Sequence, residues 1–143
     1  VFHLAAHVGG IGLNKEKPGE LFYDNILMGT YLLDEARKNN VEKFVTLGTM
    51  CSYPRDTSQP IKEEYLLTGP LEPTNEGYAL AKISGLKMVD YYRKQYGFSG
   101  ISIMPCNIYG TNDSFDPIHS HVLSSLVRRM VDLKILNRIG VVM

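Results

Sequence analysis

Lys43-Phe-Val-Thr-Leu-Gly48 is a short apolar run that closes on a glycine between two long segments of helical periodicity. A run of this length, bounded by turn signals, reads as a buried strand. Upstream, from Gly19 to about Asn39, the residues Phe22, Ile26, Gly29, Leu33 and Ala36 recur at helical spacing, and Asn39-Asn40 marks the end. Before that helix, His7 to Pro18 carries three glycines and a proline and reads as a loop. Val1-Phe-His-Leu-Ala-Ala6 precedes it and fits a parallel strand buried on both faces. Downstream, the long segment Thr49 to Pro73 leads into a helix from about Asn75 to Tyr96, with Gly97 suited to its C′ position. Ile101-Ser-Ile-Met-Pro105 is a third strand, stopped by proline. The Gly/Asp/Pro-rich loop Asn107 to His119 follows, then a last helix from about Ser120 to Leu136. Strand and helix thus alternate, which predicts an α/β fold: a doubly wound parallel sheet with helices on both faces.

The chain has 143 residues, 44% hydrophobic, with a formal net charge of zero, enough for one domain with a real core. Balanced charge gives no electrostatic case for nucleic acid or an anionic membrane surface as partner. No apolar run approaches the roughly 20 residues that span a bilayer. Cys51 and Cys106 lie far apart without a CxxC spacing, which argues against a disulfide framework or a zinc site and points to a reducing cytoplasm. His119-x-His121 has no carboxylate spacing around it, so no metal is expected there. The chain opens directly on a strand, and Gly140-Val-Val-Met143 looks like the beginning of another. Both ends therefore read as cut, and the expectation is the central part of a larger domain, truncated at both ends.

In parallel α/β sheets, ligands sit at the carboxyl ends of the strands. The chemically suggestive residues follow those ends: Ala5 and Ala6 after the first, Thr49 and Cys51 after the second, Pro105 to Ile108 after the third. Tyr78-Ala-Leu-Ala-Lys82 puts a phenol and an ammonium one turn apart on one helical face. A neighbouring cation makes a phenol more acidic, and tyrosine, with an ordinary pKa of about 10, needs such help near neutrality. The pair suits protonation of a carbonyl oxygen while hydride reaches its carbon. Taken singly, each residue has a plainer reading. Tyr78 and Lys82 can be a solvated face, Thr49 a turn residue, and Cys51 a small buried hydrophobe.

Thr49, Tyr78 and Lys82 together match the catalytic pattern of the extended short-chain dehydrogenase/reductase superfamily, and the chain resembles its NAD-dependent epimerase/dehydratase family. The resemblance covers nearly all of the chain to about residue 132. It runs through His3-Leu-Ala-Ala-His-Val-Gly-Gly10, Leu47-Gly-Thr-Met-Cys-Ser-Tyr-Pro54, Leu71-Glu-Pro-Thr-Asn-Glu-Gly-Tyr78, Met104-Pro-Cys-Asn-Ile-Tyr-Gly110, Ser120-His-Val-Leu123 and Arg128-Arg129. The cysteine and Ser-His-Val elements are the selective ones, and they are similar to the branch that epimerises and reduces GDP-4-keto-6-deoxy-D-mannose to GDP-L-fucose. A Rossmann-like, NAD(P)-binding domain is implied, with NADP(H) as cofactor, a GDP-sugar as substrate and a homodimer formed by two helices across a two-fold axis.

The resemblance also implies roles. Cys51 and His121 are the proton-exchanging pair at the carbons flanking the 4-keto group, and Tyr78 protonates the oxygen during hydride transfer. Ala5, Ala6, Leu47, Gly48, Thr49, Met50, Lys82, Pro105, Cys106, Asn107, Ile108 and His121 border the cofactor. Asn107 and Arg129 contact the sugar nucleotide, a guanidinium suiting a pyrophosphate; on the sequence alone Arg129 reads equally as a solvated helix charge. The chain departs from the pattern in places. Thr49 replaces a serine, keeping the hydroxyl but narrowing its rotamers, so reduced activity is expected. Met50 stands for a small polar residue, Cys106 for Thr, Thr111 for Pro, Ser114 for Asn and Ser124 for Pro. No G-x-G-x-x-G occurs, since Gly9-Gly10-Ile-Gly12 precedes Asn14-Lys15. The N-terminal glycine-rich unit and most of the substrate domain are therefore expected to lie outside this chain. Alone, it is expected to bind NADPH poorly.

Overall fold

A computed structural model of the chain describes residues 1–116 and 120–135. His119, the helix end at Leu136 and the strand expected at 140–143 lie outside those residues. The chain divides into two compact units, Val1–Cys106 and Asn107–Met143.

In the first unit, strands β1 (Phe2–His3), β2 (Phe44–Leu47) and β3 (Gly100–Ile103) form a parallel sheet in the order β1-β2-β3. His3 pairs with Thr46, and Leu47 with Ile103. Between the strands run α1 (Ile11–Glu16), α2 (Pro18–Lys38) and α3 (Glu76–Tyr96). This is the expected parallel α/β architecture.

The helix boundaries have local causes. Pro18 opens α2, where its missing N–H costs nothing. Asn40, at φ 51°, turns the chain out of α2, and Gly97, at φ 65°, caps α3 with its N–H on the Arg93 carbonyl at 3.1 Å. The core forms where α2 and α3 meet β2. Leu33, Ala36, Phe44, Val89 and Phe98 cluster there, with the Phe44 and Phe98 rings 5.8 Å apart. Each large side chain so buried contributes about 1.5–3 kcal/mol. Tyr92 on α3 donates to Asp34 on α2 at 2.9 Å, fastening the two helices beside that core.

Two details differ from the sequence reading. The stretch His7 to Pro18 contains a six-residue helix, α1, steadied by Asn14 donating to the Gly9 and Gly10 carbonyls at 3.0 Å each. And β1 is short and only half covered: His3 is buried, but Phe2 and Leu4 are 75% and 64% exposed. Among the described residues β1 pairs with β2 alone, so one of its edges carries no strand.

In the second unit, α4 spans Val122–Ile135. Buried Ser124 donates a short hydrogen bond to Asp113, which ties the preceding loop to the helix; this is one of the positions where the resemblance has proline.

Candidate active site

β2 delivers Gly48-Thr-Met-Cys51 to the carboxyl edge of the sheet. Gly48 donates to the Ile103 carbonyl at 2.8 Å, and a β-carbon there would collide with the Met104 sulfur and come within 3.3 Å of Leu86. Only glycine lets the strand end run this close to its neighbours. The chain then turns: Thr49, in extended conformation, caps a short 3-10 turn at Met50–Ser52 and accepts the Cys51 N–H at 3.3 Å. That bond uses the threonine oxygen as acceptor and leaves the hydroxyl proton available to a ligand.

Cys51 is half-buried against Leu71, Ala79 and Ile83, and Asn75 donates to its sulfur at 3.2 Å. Asn75 occupies the N-cap of α3, where an asparagine ordinarily caps the helix, yet it makes no capping bond. Its Oδ1 is buried and without a hydrogen bond. Sequence reasoning gave Asn75 no role. The signal that would have found it is an N-cap asparagine three residues ahead of Tyr78.

On α3, buried Ala79 and Ala81 fix the rotation of the helix and leave Tyr78 and Lys82 half-buried on the adjoining face. Burial first, and then the charge that a Cys51 thiolate places beside it, raise the Tyr78 pKa above the usual 10. The acidified phenol that the Tyr–Lys spacing predicts is not what results: desolvation sets the direction of the shift. Burial likewise lowers the Lys82 pKa. A phenol held above its ordinary value stays protonated at neutral pH but releases that proton less readily than a free tyrosine, so donation depends on the charge that develops on a bound ketone oxygen.

Ala5 and Ala6, with His7, Asp24, Leu27 and Met28, line an open pocket of about 500 Å³ beside the end of β1. His7 Nδ1 lies 2.7 Å from the Asp24 carboxylate there. Leu47 and Met50 are half-buried at the β2 edge, as is Pro105 after β3, while Cys106 is exposed. A second recess of about 540 Å³, in the loop between Pro54 and Pro70, contains none of the predicted site residues. The first unit therefore brings together Thr49, Cys51, Tyr78 and Lys82. Asn107, Ile108, His121 and Arg129 belong to the second unit, where all four are exposed. Within that unit the His121 charge contributes to lowering the Asp113 pKa, after the bonds from Ser124 and the Ser114 N–H.

Residues 1–141 match the profile of the NAD dependent epimerase/dehydratase family. The chain belongs to that family. Among curated relatives, a GDP-L-fucose synthase of Sinorhizobium fredii is 49% identical over 135 residues, 94% of this chain and 43% of that protein. Among solved structures, a GDP-mannoheptose C4 reductase from Campylobacter jejuni with NADP bound superposes with a TM-score of 0.86. It is 33% identical and is matched over 97% of this chain and 42% of that one. A GDP-L-fucose synthetase from Naegleria fowleri bound to NADP gives 0.84 at 30% identity, over 100% of this chain and 47% of that one. This chain thus spans less than half the length of the relatives it matches.

Proposed function

We propose that this chain is the central segment of an NADPH-dependent epimerase-reductase that converts GDP-4-keto-6-deoxy-D-mannose to GDP-L-fucose. The observation that carries the reading is the meeting of Tyr78 and Cys51: a protonated phenol and a thiol share one half-buried corner between the end of β2 and the start of α3. Reduction of a 4-keto group needs a proton for the oxygen, and epimerisation beside it needs a group that removes and returns protons at the flanking carbons. One corner holds a candidate for each.

The residues divide the work. Thr49 donates its unused hydroxyl hydrogen to the ketone oxygen. Tyr78 gives that oxygen its proton as the alcohol forms, and Lys82 favours the phenolate left behind. Cys51, held by Asn75, exchanges protons at the carbons next to the ketone, whose acidity the carbonyl supplies. His121 is its partner in that exchange, and Arg129 takes the pyrophosphate of the sugar nucleotide.

The small residues Ala5, Ala6 and Gly48 and the ammonium of Lys82 fit the nicotinamide-ribose half of a dinucleotide: flat access at the strand ends and one cationic donor for hydroxyls. Leu47, Met50, Pro105, Cys106, Asn107 and Ile108 would border it. When bound, NADPH supplies the hydride. Among the described residues no helix is long and apolar enough to cross a membrane, and a cytoplasmic location is proposed with the activity. So is a homodimer through α2 and α3, which expose Tyr23, Tyr31 and Tyr91.

The test is stoichiometric. In a chimera where this chain replaces the matching segment of the Sinorhizobium relative, each keto sugar consumed should oxidise one NADPH. Epimerised sugar without net NADPH oxidation would instead place the chain among epimerases that regenerate their cofactor.

A further inference from the structure

His3 is buried in β1 at 6% exposure, and its Nδ1 makes no hydrogen bond. A lone apolar-run histidine is ordinarily satisfied, and an unpartnered buried polar atom costs about 1–3 kcal/mol. Beside it, between β1, β2, α2 and α3, lies a small cavity with about 10 Å³ of room for the centre of a water, lined by His3, Asn25, Thr46, Lys82 and Gly85 among others. That is about the room one water needs. A buried water also needs two to four polar partners. Asn25 is already spent: its amide donates to the His7 and Leu21 carbonyls at 2.8 and 2.7 Å, and its oxygen accepts the His7 N–H at 3.1 Å. Thr46, paired with His3 in the sheet, and Lys82 carry no hydrogen bond from their side chains to the described residues.

We infer that one water fills this cavity, accepting from the Lys82 ammonium and donating to His3 Nδ1, so that His3 is a positioning residue for Lys82. The chemistry requires the Nε2–H tautomer, with the Nδ1 lone pair toward the water. Burial and then the Lys82 charge both push the His3 pKa below the usual 6.5, which keeps the ring neutral and able to accept. Glu35 and Tyr31 on α2 line an apolar groove that His3 also lines. The bridge gives a half-buried ammonium a hydrogen bond that favours its charged form and fixes its direction. Its catalytic meaning rests on the epimerase-reductase reading; its geometry does not.

The experiment uses the 143-residue chain without cofactor or sugar, so it stands apart from that reading. Nitrogen-15 NMR of labelled histidine should show His3 as the Nε2–H tautomer with a bare Nδ1, and Lys82→Met should raise its pKa toward the ordinary value. The Lys82 ammonium, followed through carbon-13 at Cε, should titrate lower in His3→Leu and return toward the native value in His3→Gln, whose amide oxygen can accept from the water. An Nδ1–H tautomer, or the same Lys82 titration in the Leu and Gln variants, would overturn the inference. If His3→Leu does not fold, the native tautomer and the Lys82→Met shift still decide it.

Discussion

Gly77 and Gly85 lie on the same helix and meet different surroundings, so replacing each by alanine separates backbone propensity from packing. At Gly85, on the wall of the small cavity beside His3 and Lys82, a β-carbon meets no protein atom within 4 Å. Alanine there should gain most of the helix-interior advantage over glycine, about 0.5–1 kcal/mol. With an unfolding entropy of about 2.1 cal/mol/K per residue, the whole chain unfolds with about 0.3 kcal/mol/K, so Gly85→Ala should raise Tm by about 2–3 °C. At Gly77 a β-carbon would stand 3.1 Å from the Pro18 carbonyl oxygen and 3.7 Å from Phe22 Cβ. The near neighbour is backbone at the start of α2, which cannot swing away like a side-chain tip. Overpacking of this kind costs about 1–3 kcal/mol, and in the first turn the helix advantage is too small to offset it. Gly77→Ala should therefore lower stability by about 1 kcal/mol, leaving the two variants about 2 kcal/mol apart. Urea melts followed by circular dichroism read the difference directly. If Gly77→Ala were as stable as Gly85→Ala, the close approach of α3 to α2 beside Tyr78 would be wrong.

Three further outcomes follow from other contacts. Phe44, 1% exposed in the core, should cost about 3–5 kcal/mol on truncation to alanine, seen as a lower denaturation midpoint at unchanged slope. Asp34 is held at a pKa of about 2 by hydrogen bonds from Lys38, Arg37 and Tyr92. A depressed folded-state value contributes stability that is present above the unfolded value near 4 and is lost as pH falls toward 2. Asp34→Asn should thus be less stable than the native chain at neutral pH, and the two should converge across that window. Asn75→Ala removes one hydrogen bond to Cys51, worth about 1 kcal/mol net. In the chimera it should slow proton exchange beside the ketone about fivefold while reduction of pre-epimerised sugar changes less; equal losses would assign Asn75 to the fold alone.

The order of strands and helices was legible because period and punctuation agree: Asn39-Asn40 and Gly97 end helices where left-handed backbone is needed. α1 escaped because the glycines around it outweigh its short apolar pattern, and because the bonds from Asn14 that steady it are not a propensity. The exposure of Phe2 and Leu4 was illegible for another reason: an apolar run reports that a strand suits burial, not how many neighbours it has. At the site, the Tyr78–Lys82 spacing and the clustering of Thr49 and Cys51 near it could be read from strand ends. The direction of the Tyr78 shift could not, since spacing tells which charges are near but not how much water is lost. His3 and Asn75 were missed for a shared reason. Each is unusual through hydrogen bonding that only the fold shows: His3 Nδ1 has no partner, and Asn75 leaves its cap to reach the Cys51 sulfur.

The most direct measurement is made on the chimera with Tyr78→Phe, in deuterated water with the keto sugar and NADPH. Deuterium should still enter at the carbons flanking the ketone, through Cys51, while NADPH oxidation falls to background; Cys51→Ser should give the reverse for the native keto sugar. Loss of both activities to the same degree in Tyr78→Phe would contradict the division of labour at this corner.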